Sequence, residues 1–354
     1  MLLSSAICPL IYQFLLQKIA NFNRGEFIVA NNSHPYRAKV QPYKYNPRSF
    51  SKADRRINSV VDRIAHHLKE PQSKVLFVFD LDGTLTNTTN PDATLSTQIP
   101  ENISETLSKL ASNPRFEVAI LTARNHHSLN QINFENIIRK YASNGEIRHD
   151  PIGDDKIHLN LVPHCEHIFN EAQIITKAIL SDREIKDLVD KKDLAIHTGV
   201  NLGLGLRHDM DLNDRKRIVN SIKEKMSKII PKSWRYFSEY ENDLNLFYCS
   251  KEIYGSKPFE KTDYKWKAPG INRITEDLAQ EGFHATMVVC VGDTNADLTM
   301  MDEAKSWNEH LPIIENINIA VGDKIPRDSK SVTNWFQSPN DIYEMILHLN
   351  NLVA

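Results

Sequence analysis

The chain has 354 residues, enough for about two domains and a sizeable core. Hydrophobic residues make up 41% and charged residues 25%, with 12 Gly and 16 Pro, which excludes a disordered tail, a collagen-like repeat and low-complexity sequence. With 43 basic side chains against 45 acidic ones the net charge is -2, so the chain lacks the broad basic surface of a general nucleic-acid binder.

Residues 2-16 (LLSSAICPLIYQFLL) are mostly apolar but too short for a membrane span, and Pro9 and Gln13 interrupt them. Neither a basic n-region nor a small-x-small cleavage site is clear: only the start amine precedes the run, and Lys18 stands where a small residue would be needed before Ala20. A docking helix is the favoured reading; export, a membrane-surface contact or a cleaved signal stays open. Residues 21-50 are rich in Asn, Pro, Arg and Tyr and read as an irregular linker. Ser51 and Asp54 suit a capping box, after which Ile57, Val60, Val61, Ile64 and Leu68 share one helical face. The cysteines Cys8, Cys165, Cys249 and Cys290 are dispersed, with no metal-ligand spacing and no disulfide framework, which points to a reducing, cytoplasmic setting.

From residue 74 short apolar runs alternate with helical stretches. VLFVF (75-79) ends in Asp80, FEVAIL (116-121) in Thr122, TMVVCV (286-291) in Gly292-Asp293, and INIAV (317-321) in Gly322. Runs buried on both faces are what a parallel sheet needs. Ile103, Leu107 and Leu110 line one intervening helix, Ile274, Leu278 and Phe283 another, and Ile342, Met345, Ile346 and Leu349 a last one opening at Ser338-Pro339. The expected fold class is α/β, a doubly wound parallel sheet, with ligands at the carboxyl ends of the strands. Residues 146-260 break this rhythm: IHLNLV (157-162) reads as strand, about 168-190 as one long helix, 195-206 as strand, 212-230 as helix, and 235-249 as a hairpin. The expected division is an N-terminal extension (1-73), a core (74-145 and 262-354) and an inserted α+β domain (146-261).

The strongest chemical signal is FDLDGTLT (79-86). An apolar strand delivers Asp80 and Asp82, one residue apart, into a turn at Gly83. Two neighbouring carboxylates repel, so they call for a cation or a retained proton. Such a pair suits Mg2+ ligation, general acid-base work, or nucleophilic attack by a carboxylate.

DLDGTLT resembles the first motif of the haloacid dehalogenase superfamily of aspartate-nucleophile phosphotransferases. The resemblance implies that Asp80 attacks phosphorus and that Asp82 protonates the leaving oxygen and later activates water. Thr122 in AILTARN matches the second motif, whose hydroxyl binds phosphate, and Arg124 stands where sugar-phosphate members often carry an Arg. Lys267 in KWKAPGINRI matches the third, with Ala268 where the family has Gly and Lys265 as competitor. VVCVGDTNADLTMM matches the fourth: Asp293 and Asp297 would join Asp80 and Asp82 around Mg2+, while Ala296 stands where many relatives have Asn, one position after Asn295. The match spans about residues 74-350.

Asp82 and Thr122 lie 40 residues apart, too few for a large insertion, whereas Thr122 and Lys267 lie 145 apart. YASNGEIR (141-148) resembles the core-to-cap junction of the subfamily containing Cof-type sugar phosphatases, sucrose-phosphate phosphatase, trehalose-6-phosphate phosphatase and phosphomannomutase. The short gap from Thr122 to Asn144-Gly145, and GVNLGLGL running into Arg207-His208, look most like the trehalose-phosphate enzymes. Thr122-Ala123-Arg124 departs from their Ser-Gly-Arg, and Gly292-Asp293-Thr294 from their Gly-Asp-Asp. The resemblance implies a Mg2+-dependent phosphatase acting on a small-molecule sugar phosphate, with neither nucleic acid nor a set oligomeric state. A phosphomannomutase-like phosphotransferase, a Cof-type or sucrose-phosphate-type phosphatase, and a non-catalytic binding protein on the same scaffold are the rivals. Candidate substrate contacts are Arg124, Asn144, Arg207, His208, Glu239 and Asn245. His126 and His127 read as a helix start.

Overall fold

The computed structural model describes residues 27-30, 52-86, 99-124, 126-130, 132, 138-151, 156-162, 165-206, 210-237, 246-250, 267-310 and 314-352. Among them a nine-stranded sheet runs in the order β1-β6-β5-β4-β3-β2-β11-β12-β13. The strands are β1 (Phe27–Ala30), β2 (Val75–Phe79), β3 (Phe116–Leu121), β4 (Arg139–Ala142), β5 (Ile147–Pro151), β6 (Lys156–Leu161), β11 (Met287–Gly292), β12 (Glu315–Val321) and β13 (Asn334–Phe336). From β4 through β13 neighbouring strands are parallel, whereas β5, β6 and β1 add on antiparallel.

The continuous apolar runs have the expected cause. Alternate residues of β2 leave the strand on opposite faces. Val75, Phe77 and Phe79 enter one core, Leu76 and Val78 the other. Helices α1 (Lys52–His67), α2 (Glu101–Ala111) and α9 (Pro339–Leu352) supply Ile57, Ile64, Ile103, Leu107, Ile342 and Ile346 to the first core. Helices α7 (Ala268–Gln280) and α8 (Asn295–His310) supply Ile271, Ile274, Leu278, Met300 and Met301 to the second. The sheet is therefore covered on both sides, and the α/β class holds.

The insertion also differs in detail from its sequence pattern. Residues 147-151 and 156-161 hydrogen-bond into the large sheet as β5 and β6. A separate four-stranded antiparallel sheet, β7-β8-β10-β9, follows from β7 (Leu194–Thr198), β8 (Asn201–Leu206), β9 (Trp234–Phe237) and β10 (Leu246–Ser250). The stretch 195-206 is thus two strands, because Gly199 turns the chain with its N–H on the Asn201 carbonyl at 2.8 Å. The long helix about 168-190 is also two, α4 (Glu166–Leu180) and α5 (Arg183–Asp190). Asp182 starts the second by accepting from the N–H groups of Glu184 and Ile185. Leu202, Leu204 and Leu206 point to the buried face of this sheet, beneath α4 and α6 (Leu212–Ile229) with Ile168, Phe169, Val219 and Ile222.

Among the described residues of the linker expected over 21-50 is a strand. Phe27–Ala30 pairs antiparallel with β6, a partner too distant in sequence for local pattern to reveal. Residues 2-16 and Ser51 lie outside the described residues. Among the described residues no helix is long and apolar enough to cross a membrane.

Helix α1 packs against α9 and β13, and Arg56 donates to the Trp335 carbonyl at 3.1 Å. Ile64 is fully buried there. Ile64→Ala is expected to destabilise the protein by about 2–4 kcal/mol in urea unfolding; a loss near zero would show that α1 does not belong to the core.

Candidate active site

The strand ends bring the predicted acids together by register. Phe79 pairs with Val291 on one side and with Ile120 on the other. Asp80 therefore sits beside Gly292-Asp293, with its N–H on the Val291 carbonyl at 2.9 Å, while Thr122 stands one residue past β3. Gly83 follows at a φ of 80°, and a Cβ there would collide with the Asp293 carboxylate. A Cβ on Gly292 would collide with Asp297. Glycine at these two positions leaves room for the Asp293 and Asp297 side chains.

Lys267 is the hub. Its Nζ donates to Asp80 Oδ1 at 2.5 Å and to Asp297 Oδ1 at 2.5 Å, and all three side chains are buried. It caps the N-terminus of α7, with its N–H on Thr299 Oγ1 at 2.9 Å. Asp297 Oδ2 accepts from the N–H groups of Asp293 and Thr294 at 3.1 and 2.9 Å, and from Thr294 Oγ1 at 2.8 Å. Asp297 is thereby locked into the first turn of α8 with its other oxygen on Lys267. Of the two lysines the motif left open, Lys265 lies outside the described residues.

Burial, then Asp297, pushes the Asp80 carboxyl well above its ordinary range, and Lys267 opposes this. Burial and Asp297 likewise raise Asp293, against Lys324. Burial alone would depress the Lys267 ammonium, but Asp297 and Asp80 hold it above the usual lysine range. Asp80, Asp293 and Asp297 offer ligand oxygens within 4.8 Å of one another. Asp293 Oδ1 is buried with no hydrogen-bond partner. An acid cluster with an orphaned oxygen and raised carboxyl pKa values fits a hard divalent cation such as Mg2+.

Asp82 is outside that three-acid group. Its carboxylate accepts a fork from Arg124, Nε at 2.7 Å and Nη2 at 2.5 Å, and the Arg124 N–H in turn donates to Thr122 Oγ1 at 3.2 Å. Asn144 is buried at the junction, with a left-handed φ of 58° and both side-chain amide atoms without partners. Its N–H bonds the Thr122 carbonyl at 2.9 Å. A Cβ on Gly145 would strike Gly270 of α7, so this junction and the helix carrying Lys267 are in backbone contact. Arg207, His208, Glu239 and Asn245 lie outside the described residues, as does the side chain of His127. His126 does begin a helix, α3 (His126–Asn130), and its ring meets Phe169 at 5.3 Å edge-on.

Sequence reasoning missed three participants. Lys324, just past β12, reaches Asp293 Oδ2 at 2.7 Å. The apolar run ending at Gly322 is the signal that places this turn beside Asp293. Arg273 on α7 donates to the carbonyls of Gly145 and Asn160 at 2.7 Å each, clamping the junction to the helix that Lys267 caps. Glu146, next in the junction, is buried with Oε2 unpartnered, and burial lifts its carboxyl from 4.5 to about 8 despite its own backbone N–H and Arg273.

No family model matches the chain and no curated protein matches it. Solved structures do. The C-terminal domain of a Candida albicans trehalose-6-phosphate phosphatase aligns with a TM-score of 0.53 at 16% identity, covering 82% of this chain and 96% of that one. The C-terminal domain of a Candida albicans trehalose synthase regulatory protein aligns with a TM-score of 0.50 at 11% identity, covering 88% and 100%. An Aspergillus fumigatus trehalose-6-phosphate phosphatase aligns with a TM-score of 0.45 at 20% identity, covering 82% and 98%. The two Candida likenesses show that this chain shares the fold of those domains.

The raised Glu146 carboxyl makes stability depend on pH. Between about 4.5 and 8 the folded state keeps a proton that the unfolded state has lost, so stability falls as pH rises through that window. Glu146→Gln is expected to flatten this fall and be more stable than the parent at pH 8, with the difference shrinking towards pH 4.5 in pH-dependent urea titrations. Parallel curves for the two proteins would contradict the buried, protonated Glu146.

Proposed function

We propose that this protein is a Mg2+-dependent phosphomonoester hydrolase that works through an aspartyl-phosphate on Asp80, with trehalose 6-phosphate as its substrate. The observation that carries the reading is Lys267 held between Asp80 and Asp297, with the orphaned Asp293 oxygen beside them. The shared fold of the Candida trehalose-6-phosphate phosphatase supports the substrate class.

Asp80 presents a carboxylate at the strand tip, and Lys267 fixes one of its oxygens, leaving the other for attack on phosphorus. The P–O bond to the sugar breaks as the new P–O bond to Asp80 forms. Asp82 delivers a proton to the departing sugar oxygen, then takes one from the water that releases phosphate. Arg124 holds the Asp82 carboxylate in place through its two-pronged fork. Thr122 Oγ1 and Lys267 would meet the phosphoryl oxygens. A Mg2+ ion held by Asp80, Asp293 and Asp297 would offset the charge of the phosphoryl group. Cap side chains closing over the sugar would exclude water during the first half.

Phosphate release measured with Mg2+ over mono- and disaccharide phosphates tests the reading. Trehalose 6-phosphate is expected to turn over fastest. Turnover of a monosaccharide phosphate alone would remove the disaccharide assignment, and an isomeric hexose phosphate formed without phosphate release would make the protein a mutase. Asp80→Asn is expected to lose at least about a thousandfold in kcat; full turnover by that variant would refute the aspartyl-phosphate route.

A further inference from the structure

Among the described residues four carboxylates, Asp80, Asp82, Asp293 and Asp297, meet three cationic groups at the strand ends: Lys267, Arg124 and Lys324. The three cations are not held alike. Lys267 is 2% exposed and bound by two carboxylates. Arg124 is 13% exposed and bound through a two-pronged fork. Lys324 is 54% exposed and reaches only one carboxylate oxygen, Asp293 Oδ2, which is itself nearly inaccessible. Lys324 is thus the cation of the three that can leave without opening the core.

Asp293 is also the acid with an oxygen to spare. Its Oδ1 is buried without a partner while its Oδ2 carries the lysine. We propose that Lys324 is a built-in competitor for the divalent-cation site. Its ammonium neutralises Asp293 while the metal is away and swings out to solvent when the ion arrives. The inference rests on the metal-binding reading above and adds a residue to it. A divalent ion and an ammonium on one carboxylate repel each other, so every binding event must overcome the Lys324–Asp293 pair. The device keeps the acid cluster folded without metal, at the cost of a weaker metal affinity.

Calorimetric titration of the full chain with MgCl2 alone, without substrate, tests this. Lys324→Met is expected to bind Mg2+ about fivefold more tightly, the upper end for a partly exposed ion pair. Lys324→Arg, which keeps the charge, is expected to stay within about twofold of the parent. The gap between Lys324→Met and the parent is expected to narrow as KCl screens the exposed ammonium. Circular dichroism checks that the variants fold, as a half-exposed position allows. Equal or weaker Mg2+ binding by Lys324→Met, or equal tightening in both variants, would overturn the proposal. Asp293→Asn separates the two layers. If it loses Mg2+ while Lys324→Met binds like the parent, only the role of Lys324 falls. If it binds Mg2+ as tightly as the parent, the metal site and the competitor fall together.

Discussion

Carboxylates gathered at one point in a protein interior repel, and burial makes each of them harder to ionise. The Lys267 ammonium offsets that cost here, because it stands between Asp80 and Asp297 and is itself kept charged by them. The pair is mutual: a lone buried lysine or a lone buried aspartate would shed its charge, whereas together they hold ions where water does not reach. The arrangement needs Lys267 just ahead of α7, Asp80 just past the tip of β2, and Asp297 in the opening turn of α8.

Backbone shape makes room for that convergence. Gly83 and Gly292 leave space that side chains would fill, and the acids occupy it. A second close approach, Gly145 against Gly270, joins the junction to the helix of the hub lysine, and Arg273 fastens it through two backbone carbonyls. Asn144 is part of that contact, carries unpartnered amide atoms, and is tied to Thr122 by its backbone N–H. The ion pairs at the strand tips and the packing beneath them are therefore one construction.

Much of this was readable from the chain alone. Asp80, Thr122 and Asp293 each follow a run of apolar residues long enough to be a doubly covered strand, and parallel pairing then puts them side by side. Asp297 was legible only through the resemblance, as the second acid of its fourth motif. What the sequence hid depends on strand order and long-range pairing. The Arg124 fork on Asp82 and the reach of Lys324 to Asp293 require β3, β2, β11 and β12 to be neighbours in that order. The strand at Phe27–Ala30 exists through β6, and the split of 195-206 turns on a single glycine. Helix α5 begins afresh because Asp182 caps it and Lys225 holds that cap at 2.7 Å, a contact 43 residues away in sequence.

In the proposed mechanism Asp80 receives the phosphoryl group beside a divalent ion shared with Asp293. A crystal structure of the protein with Mg2+ and beryllium fluoride, whose trifluoride mimics a phosphoryl group on a carboxylate, tests it most directly. The fluoride is expected on an Asp80 oxygen, with Thr122 and Lys267 around it and Mg2+ between Asp80 and Asp293. Fluoride bound to Asp82, or Mg2+ located away from this cluster, would contradict it.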